Sequence, residues 1–311
     1  MVNNKKIKVL YIAGWGRSGS TILDNIFGQL DGFFTAGELR YIWERGFLEN
    51  RKCGCGQPFL ECEMWQKITR NTFGSDNQIQ PRLMEKMANR YSRTMRILWL
   101  MATRGGNRNS KDFDKYLKVL EDLYLGIARE TKSRVIVDSS KFPVRAALLR
   151  LIPAIDLYIV HLIRDPRAVA HSWMTSKLTD DFEKPAYLPK INPVSSAIWW
   201  NGWNLVSEYV GSFLPDKYLR LNYEIFVSDP RTSINGILSL LGETRSKLPF
   251  KDEKTIVLKK NHTISGNPVR FLQGEILIEP DLRWLTDMKP YHKLIVTLIT
   301  LPFLSRFGYS D

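Results

Sequence analysis

Between residues 14 and 21 the chain reads Gly-Trp-Gly-Arg-Ser-Gly-Ser-Thr, small and hydroxyl side chains around a single arginine, Arg17. Such a loop lets backbone N–H groups crowd an anion, and the hydroxyls of Ser18, Ser20 and Thr21 add donors. Upstream lies the apolar run Ile7–Ala13; downstream, Ile22, Leu23, Ile26, Phe27 and Leu30 recur at helical spacing. The layout is strand, anion-binding loop, helix. The lysine that precedes the Ser/Thr pair of a nucleoside-triphosphate loop is missing, because Gly-x-x-x-x-Gly-Lys-[Ser/Thr] occurs nowhere in the chain. Arg17 offers instead a planar fork that pairs bidentately with an oxyanion. Gly16, Arg17, Ser18, Gly19, Ser20 and Thr21 therefore read as a seat for a sulfuryl or phosphate group that requires no metal.

Other elements must hold that loop. Strand patterns run over Ile7–Ala13, Arg134–Val137, Leu157–Ile163 and Tyr218–Leu221. Helical periodicity shows in Ser20–Leu30, Arg82–Met101, Phe113–Glu130, Val144–Leu151, Pro166–Ser176, Ser195–Phe213 and Arg231–Leu241. Alternating strands and helices predict an α/β fold, a single domain over residues 1–311 with a central, mostly parallel sheet flanked by helices. Each strand empties into a polar cluster: "GRSGST", "DSSK", "RDPRAVAHS" and "NYE". In open α/β sheets ligands lie outside the carboxyl ends of the strands, so the four clusters should meet in one crevice. Residues 103–112 and 177–193, rich in polar residues, Gly or Pro, read as breaks.

Composition bounds the rest. The 311 residues carry 45 Lys+Arg against 32 Asp+Glu, a formal charge of +13 that draws anionic partners. No run of about 20 apolar residues predicts a membrane span, and the first residues lack a secretory h-region, so the expected address is the cytoplasm. A nucleic-acid module would interleave stacking aromatics with Lys and Arg, whereas here the aromatics cluster apart from the basic motifs.

"GRSGSTIL", "AGELR", "DSSK", "HLIRDPRAVAHS", "NYE" and "HTISGNPVRF", in that order, resemble the motifs of sulfotransferases that use 3′-phosphoadenosine 5′-phosphosulfate (PAPS). The resemblance spans residues 7–272. It implies a fold related to P-loop nucleotide kinases, with the 16–21 loop on the 5′-phosphosulfate and Arg164 and Ser172 on the 3′-phosphate. It also implies Tyr223 near the adenine, and Gly266, Asn267 and Arg270 closing over the 3′-phosphate. The residues themselves agree in part: Arg164 follows a strand directly and precedes Asp165-Pro166, a helix start that offers amides to an anion. Ser172 lies about two helical turns further on, so its reach depends on the tilt of that helix.

Sulfuryl transfer needs a base for the acceptor and a stabiliser for the leaving oxygen. By similarity to the Gly-Glu-Glu-Thr-Arg segment of tyrosylprotein sulfotransferases, Glu38 is the candidate base; its other reading is a helix-capping partner of Arg40. Lys141 either supports the leaving group or is surface charge, and His171 is the reserve base or a packing residue. Aryl sulfotransferases place a histidine after the second strand, where this chain has "DSSKFP". The expected activity is sulfation of a hydroxyl or amine on a small-molecule acceptor, releasing adenosine 3′,5′-bisphosphate (PAP). Protein tyrosines or polysaccharides are alternative acceptors. A nucleoside or nucleotide kinase is the alternative enzyme, with Asp138 as its metal-holding aspartate.

Two segments stand outside these motifs. Cys53, Cys55 and Cys62 lie in "CGCGQPFLEC" with no histidine nearby, one ligand short of a zinc site, and read as free or loosely paired thiols; similarity to Cys-Gly-containing segments of bacterial sulfotransferases implies a structured insertion near the acceptor pocket. Trp199, Trp200 and Trp203 form either a packing face or a stacking surface for the acceptor. Acceptor-side insertions are expected over about 40–130 and 177–200, and the apolar C-terminal segment reads as a closing core helix or a homo-oligomer contact.

Overall fold

β1 (Ile7–Ala13) turns through the glycine loop into α1 (Ser20–Phe27), and the chain returns along β2 (Phe33–Gly37). A computed structural model describes these and the other residues of 6–74, 79–92, 97–102, 111–182, 186–243 and 247–309. After a π-helical stretch, Ile42–Leu48, come α2 (Glu63–Phe73), α3 (Pro81–Tyr91), α4 (Ile97–Ala102) and α5 (Lys111–Thr131). Strands and helices then alternate through β3 (Val135–Lys141), α6 (Pro143–Leu149), β4 (Ile155–Ile163) and α7 (Pro166–Met174). The short pair β5 (Leu178–Thr179) and β6 (Ala186–Tyr187) leads to α8 (Pro193–Gly211) and β7 (Tyr218–Asn222). α9 (Tyr223–Ser228), α10 (Pro230–Leu241), the antiparallel pair β8 (Thr255–Leu258) and β9 (Gly274–Leu277), α11 (Trp284–Asp287) and α12 (Pro290–Phe307) follow.

The central sheet runs β2-β3-β1-β4-β7, every neighbouring pair parallel. Successive strand residues face opposite sides, so Val9 and Tyr11 of β1 enter one core with Ile136 and Ile159 while Leu10 and Ile12 enter another with Val137 and Val160. The first core is closed by Trp65 and Ile68 of α2 and Leu120 and Tyr124 of α5, the second by Leu23 and Ile26 of α1 and Ile234 and Leu238 of α10. Both faces covered is what a parallel sheet of near-continuous apolar strands requires.

Several elements differ from the sequence expectation: β5 and β6 fall within the expected 177–193 break, and β8, β9, α9 and α11 were not anticipated. β2 is a fifth strand, too short and too poor in alternation to stand out as "FFTAG"; it forms because β3 presents an open edge. α2 was not expected either, since only Trp65 and Ile68 of its eleven residues are buried. The single helix expected over Arg82–Met101 is two, α3 ending at Tyr91 and α4 beginning at Ile97, while residues 93–96 and most of the expected 103–112 break lie outside the described residues. α12 buries Val296, Thr300, Leu304 and Phe307, as a closing helix does. No helix among the described residues is long and apolar enough to cross a membrane.

Candidate active site

A parallel sheet points all its carboxyl ends one way, and at that edge a cavity of about 480 Å³ opens. Every strand of the sheet contributes to its wall. β1 delivers Gly16, Arg17, Gly19, Ser20 and Thr21; β2 delivers Glu38; β3 delivers Ser140 and Lys141; β4 delivers Arg164 and, through α7, Ser172; β7 delivers Tyr223. Gly266 and Asn267 reach the same wall from the β8–β9 connection.

The loop is tightly built. Gly19 caps α1 at φ +88° and lies so close to the Tyr223 ring that a Cβ there would sit 2.6 Å from it, so no other residue fits. The first turn of α1 leaves N–H groups without intrahelical partners beside Ser20 and Thr21. Ser18 departs from expectation: its hydroxyl is buried and donates back to the Trp15 carbonyl at 2.8 Å, which shapes the loop and keeps the side chain off the cavity wall. Arg17 and Lys141 both hold φ +71°, a conformation costing non-glycine residues on the order of 1 kcal/mol. Two basic side chains are thus aimed inward at the expense of backbone strain.

Three cations converge on one end of the cavity. Arg17 lies 4.5 Å from the Trp173 ring, and its carbonyl accepts from Arg164 Nη1 at 3.2 Å. Arg164 lies over the Tyr223 ring, donates to the Asp281 carbonyl at 3.1 Å and faces the Asp281 carboxylate at 3.5 Å. Its backbone is fixed by Trp200, whose indole N–H donates to the Arg164 carbonyl at 2.9 Å. Lys177, which sequence reasoning missed, donates to Ser172 Oγ at 3.1 Å. Burial, then the like charge of Arg17, pushes its ammonium down to about 8. The Nε atoms of Arg17 and Arg164 are buried without a hydrogen-bond partner. Buried cations with orphaned donors have the charge and the free hydrogen-bonding capacity to take an anion.

On the same wall Glu38 is paired with Lys141, and Arg45 of the π-helical stretch stands 3.5 Å from its second oxygen. Burial would push the carboxyl up, but Lys141 and then Arg45 outweigh it and hold Glu38 below its ordinary value. The wall beyond is apolar and aromatic, with Trp15, Phe142, Trp173, Leu188, Ile191 and Trp203. The tryptophan cluster of α8 divides its work: Trp200 is fully buried against Phe307, Trp203 faces the cavity, and half-exposed Trp199 stacks on Trp15.

Besides Ser18, three expected residues do not come to this wall. Arg270 is completely buried, its guanidinium donating to the Thr263 carbonyl at 2.6 Å, the Lys52 carbonyl at 2.5 Å and Asp181 Oδ1 at 2.7 Å, so it braces the loop that carries Gly266 and Asn267 and does not line this cavity. His171 of α7, the reserve base, is not among the residues that line the cavity. Asp138 is also buried away from the wall, accepting from Tyr124 and from the Ser140 N–H and hydroxyl; its oxygens are spent on the protein and none is presented to a metal.

A family model described as "Sulfotransferase family" matches residues 10–247. Among solved structures, the chain is similar to the sulfotransferase domain from the Synechococcus PCC 7002 olefin synthase, with 18% identity, TM-score 0.51, and 97% of this chain and 96% of that one covered. It is likewise similar to the sulfotransferase domain from the curacin biosynthetic pathway, with 17% identity, TM-score 0.53, and 97% and 98% covered. At such identities the likeness concerns the fold. A search of curated proteins returns no match.

Proposed function

The chain belongs to the sulfotransferase family, and we propose that it moves the sulfuryl group of PAPS to a hydroxyl or amine of a small-molecule acceptor, releasing PAP. The observation that carries this reading is the cluster of Arg17, Arg164 and Lys177, which crowds one cavity end and leaves buried donors unpartnered. A donor with phosphate groups at two positions satisfies such a cluster; the Asp138 geometry offers nothing for the Mg²⁺ of a kinase.

In this reading the loop amides and Arg17 hold the phosphosulfate, Arg164, Ser172 and Lys177 hold the 3′-phosphate, and Tyr223 flanks the adenine beside Gly19. Glu38 takes the proton of the acceptor. As the acceptor heteroatom bonds to sulfur, the bond from sulfur to the bridging oxygen breaks and the electron pair stays on the departing phosphate. Arg17 and Lys141 stabilise the charge that builds there. The aromatic wall and the cavity's size favour a flat or apolar small acceptor over a polysaccharide.

Calorimetric titration tests the donor. PAP is expected to bind at least about 100-fold more tightly than AMP, and Arg164→Ala to erase most of that preference. Equal affinities for the two nucleotides in the parent protein would refute the PAPS reading.

Lys177 adds a pH signature. Its ammonium titrates at about 8, and a bound anion stabilises the charged form, so binding must take up a proton wherever the free site is neutral. The phosphates are already ionised there. PAP affinity should hold steady near pH 7 and fall above pH 8, by up to about tenfold per pH unit. In Lys177→Met binding should be weaker and that slope absent; an unchanged slope would place the titrating group elsewhere.

A further inference from the structure

We infer that Cys53, Cys55, Cys62 and His262 bind one zinc ion in a closed, four-ligand protein site that pins the segment carrying Gly266 and Asn267 to the cysteine hairpin. The three cysteines are not one ligand short: the chain returns a histidine to them from 200 positions away. The three Sγ atoms and one ring nitrogen of His262 all lie within 4.8 Å of one another. A tetrahedral ion with Zn–S near 2.3 Å and Zn–N near 2.0 Å requires ligand atoms about 3.5–3.8 Å apart. Cys55 and Cys62 Sγ are 3.7 Å apart, and His262 Nδ1 stands 3.3 Å from Cys62 Sγ and 3.8 Å from Cys53 Sγ. This spacing suits a single ion and is too tight for a cluster of several metals.

The surroundings are built to hold that arrangement. Lys52 and Pro58 close a small hairpin, and inside it the Cys53 N–H donates to the Gln57 carbonyl at 2.7 Å and the Gly56 N–H to the Cys53 carbonyl at 2.8 Å, with Gly56 at φ +91°. Gly54 meets the returning segment so closely that a Cβ would lie 1.9 Å from Asn261 Oδ1; its N–H donates to the Thr263 carbonyl at 2.8 Å. Trp65 Nε1 donates to the His262 carbonyl at 2.7 Å, fixing the backbone on the far side of the ligand. Such outer contacts orient metal ligands.

A disulfide explains less. One S–S bond consumes two thiols and leaves the third, together with an imidazole, packed against it without a role. Zinc uses all four groups, releases the three thiol protons to solvent and involves no oxidant. The ion also reaches the active site through the chain: beyond His262, the Ile264 N–H donates to the Ala36 carbonyl of β2 at 3.0 Å, and Ser265 Oγ accepts from Arg45 at 2.6 Å, next to Glu38. Zinc therefore anchors the outer edge of the strand that presents the candidate base.

The site does not depend on the donor or the acceptor, so its test uses no activity readout. The untagged full chain, purified without chelator from zinc-supplemented cells, should carry about one zinc per chain by mass spectrometric metal analysis, released as the thiols are titrated with a mercurial. Reloading with Co²⁺ should give the visible absorption of a tetrahedral thiolate complex. His262→Cys, which keeps four ligands, should retain the metal with a shifted cobalt spectrum, whereas His262→Ala and Cys62→Ser should weaken binding by at least about 100-fold. Hydrogen exchange in residues 53–57 and 261–265 should rise together when the ion is withdrawn. The proposal is overturned by a chain that carries no stoichiometric zinc and takes up no cobalt, by a Cys55–Cys62 disulfide in alkylated protein, by iron in place of zinc, or by metal content unaffected in His262→Ala.

Discussion

Glu38→Gln is expected to lower kcat by roughly 10²–10⁴-fold, the span that a positioned general base contributes, while PAP affinity stays within about threefold or tightens. The asymmetry follows from the pairing. Gln keeps the shape of the side chain but releases Lys141 and Arg45 from a carboxylate that now neutralises them, and freed cations can only favour an anionic nucleotide. In the parent enzyme Glu38 is held below its ordinary value of 4.5, so it is ionised throughout the neutral range and activity should not decline on the acid side until the pH falls below that value. Stopped-flow or single-turnover measurement separates the chemical step from binding. Parallel loss of nucleotide affinity in Glu38→Gln would mark Glu38 as a brace for Lys141 and not as the base.

Arg17→Ala should cost roughly 10²–10³-fold in kcat/KM, the loss seen when one preorganised donor to a developing oxyanion is removed. Because Arg17 sits at φ +71°, alanine removes the guanidinium and keeps the backbone strain. Arg17→Gly removes the guanidinium and relieves the strain, so it should be as inactive as alanine yet more stable by about 1 kcal/mol. Comparing the two by activity assay and thermal unfolding distinguishes chemistry from loop integrity. Activity within about threefold of the parent in Arg17→Gly would exclude the guanidinium from the transition state. Arg17→Lys should recover only part of the loss, since a point charge replaces a bidentate fork.

How the site was legible depends on the range of the signals. The loop from Gly14 to Thr21 announces itself because strand, turn and helix are adjacent in sequence and each has its own period. Arg164 is readable for the same reason, standing at the junction of an apolar strand and a proline-started helix. Ser172 was ambiguous by two helical turns, and the folded chain brings it to the cavity wall beside Lys177. Glu38 was suggested by family resemblance alone, because the strand that presents it, β2, carries too little pattern in five residues.

Arg270 shows the limit from the other side. A basic residue three positions after Asn267 looks like a phosphate ligand, and nothing local distinguishes a charge that faces a ligand from one that braces the loop behind it. Its partner Asp181 lies 89 positions away, and only folding brings the pair together in a buried ion pair. His262 is the same case for the cysteines, and Asp281 for Arg164.

By itself, then, the sequence determined the parallel α/β class, the strand–loop–helix with arginine in place of lysine, and the end of the sheet at which the candidate site lies, since these rest on periodicities and junctions a few residues long. The tertiary structure alone decided which charges face the cavity and which are consumed in holding it, the fifth strand at the edge of the sheet, and the fourth ligand of the cysteine hairpin. The physical reason is common to all three: the sign and type of a side chain are written locally, but whether it is desolvated, paired or left for a ligand is set by neighbours that the chain brings in from 80 to 200 residues away.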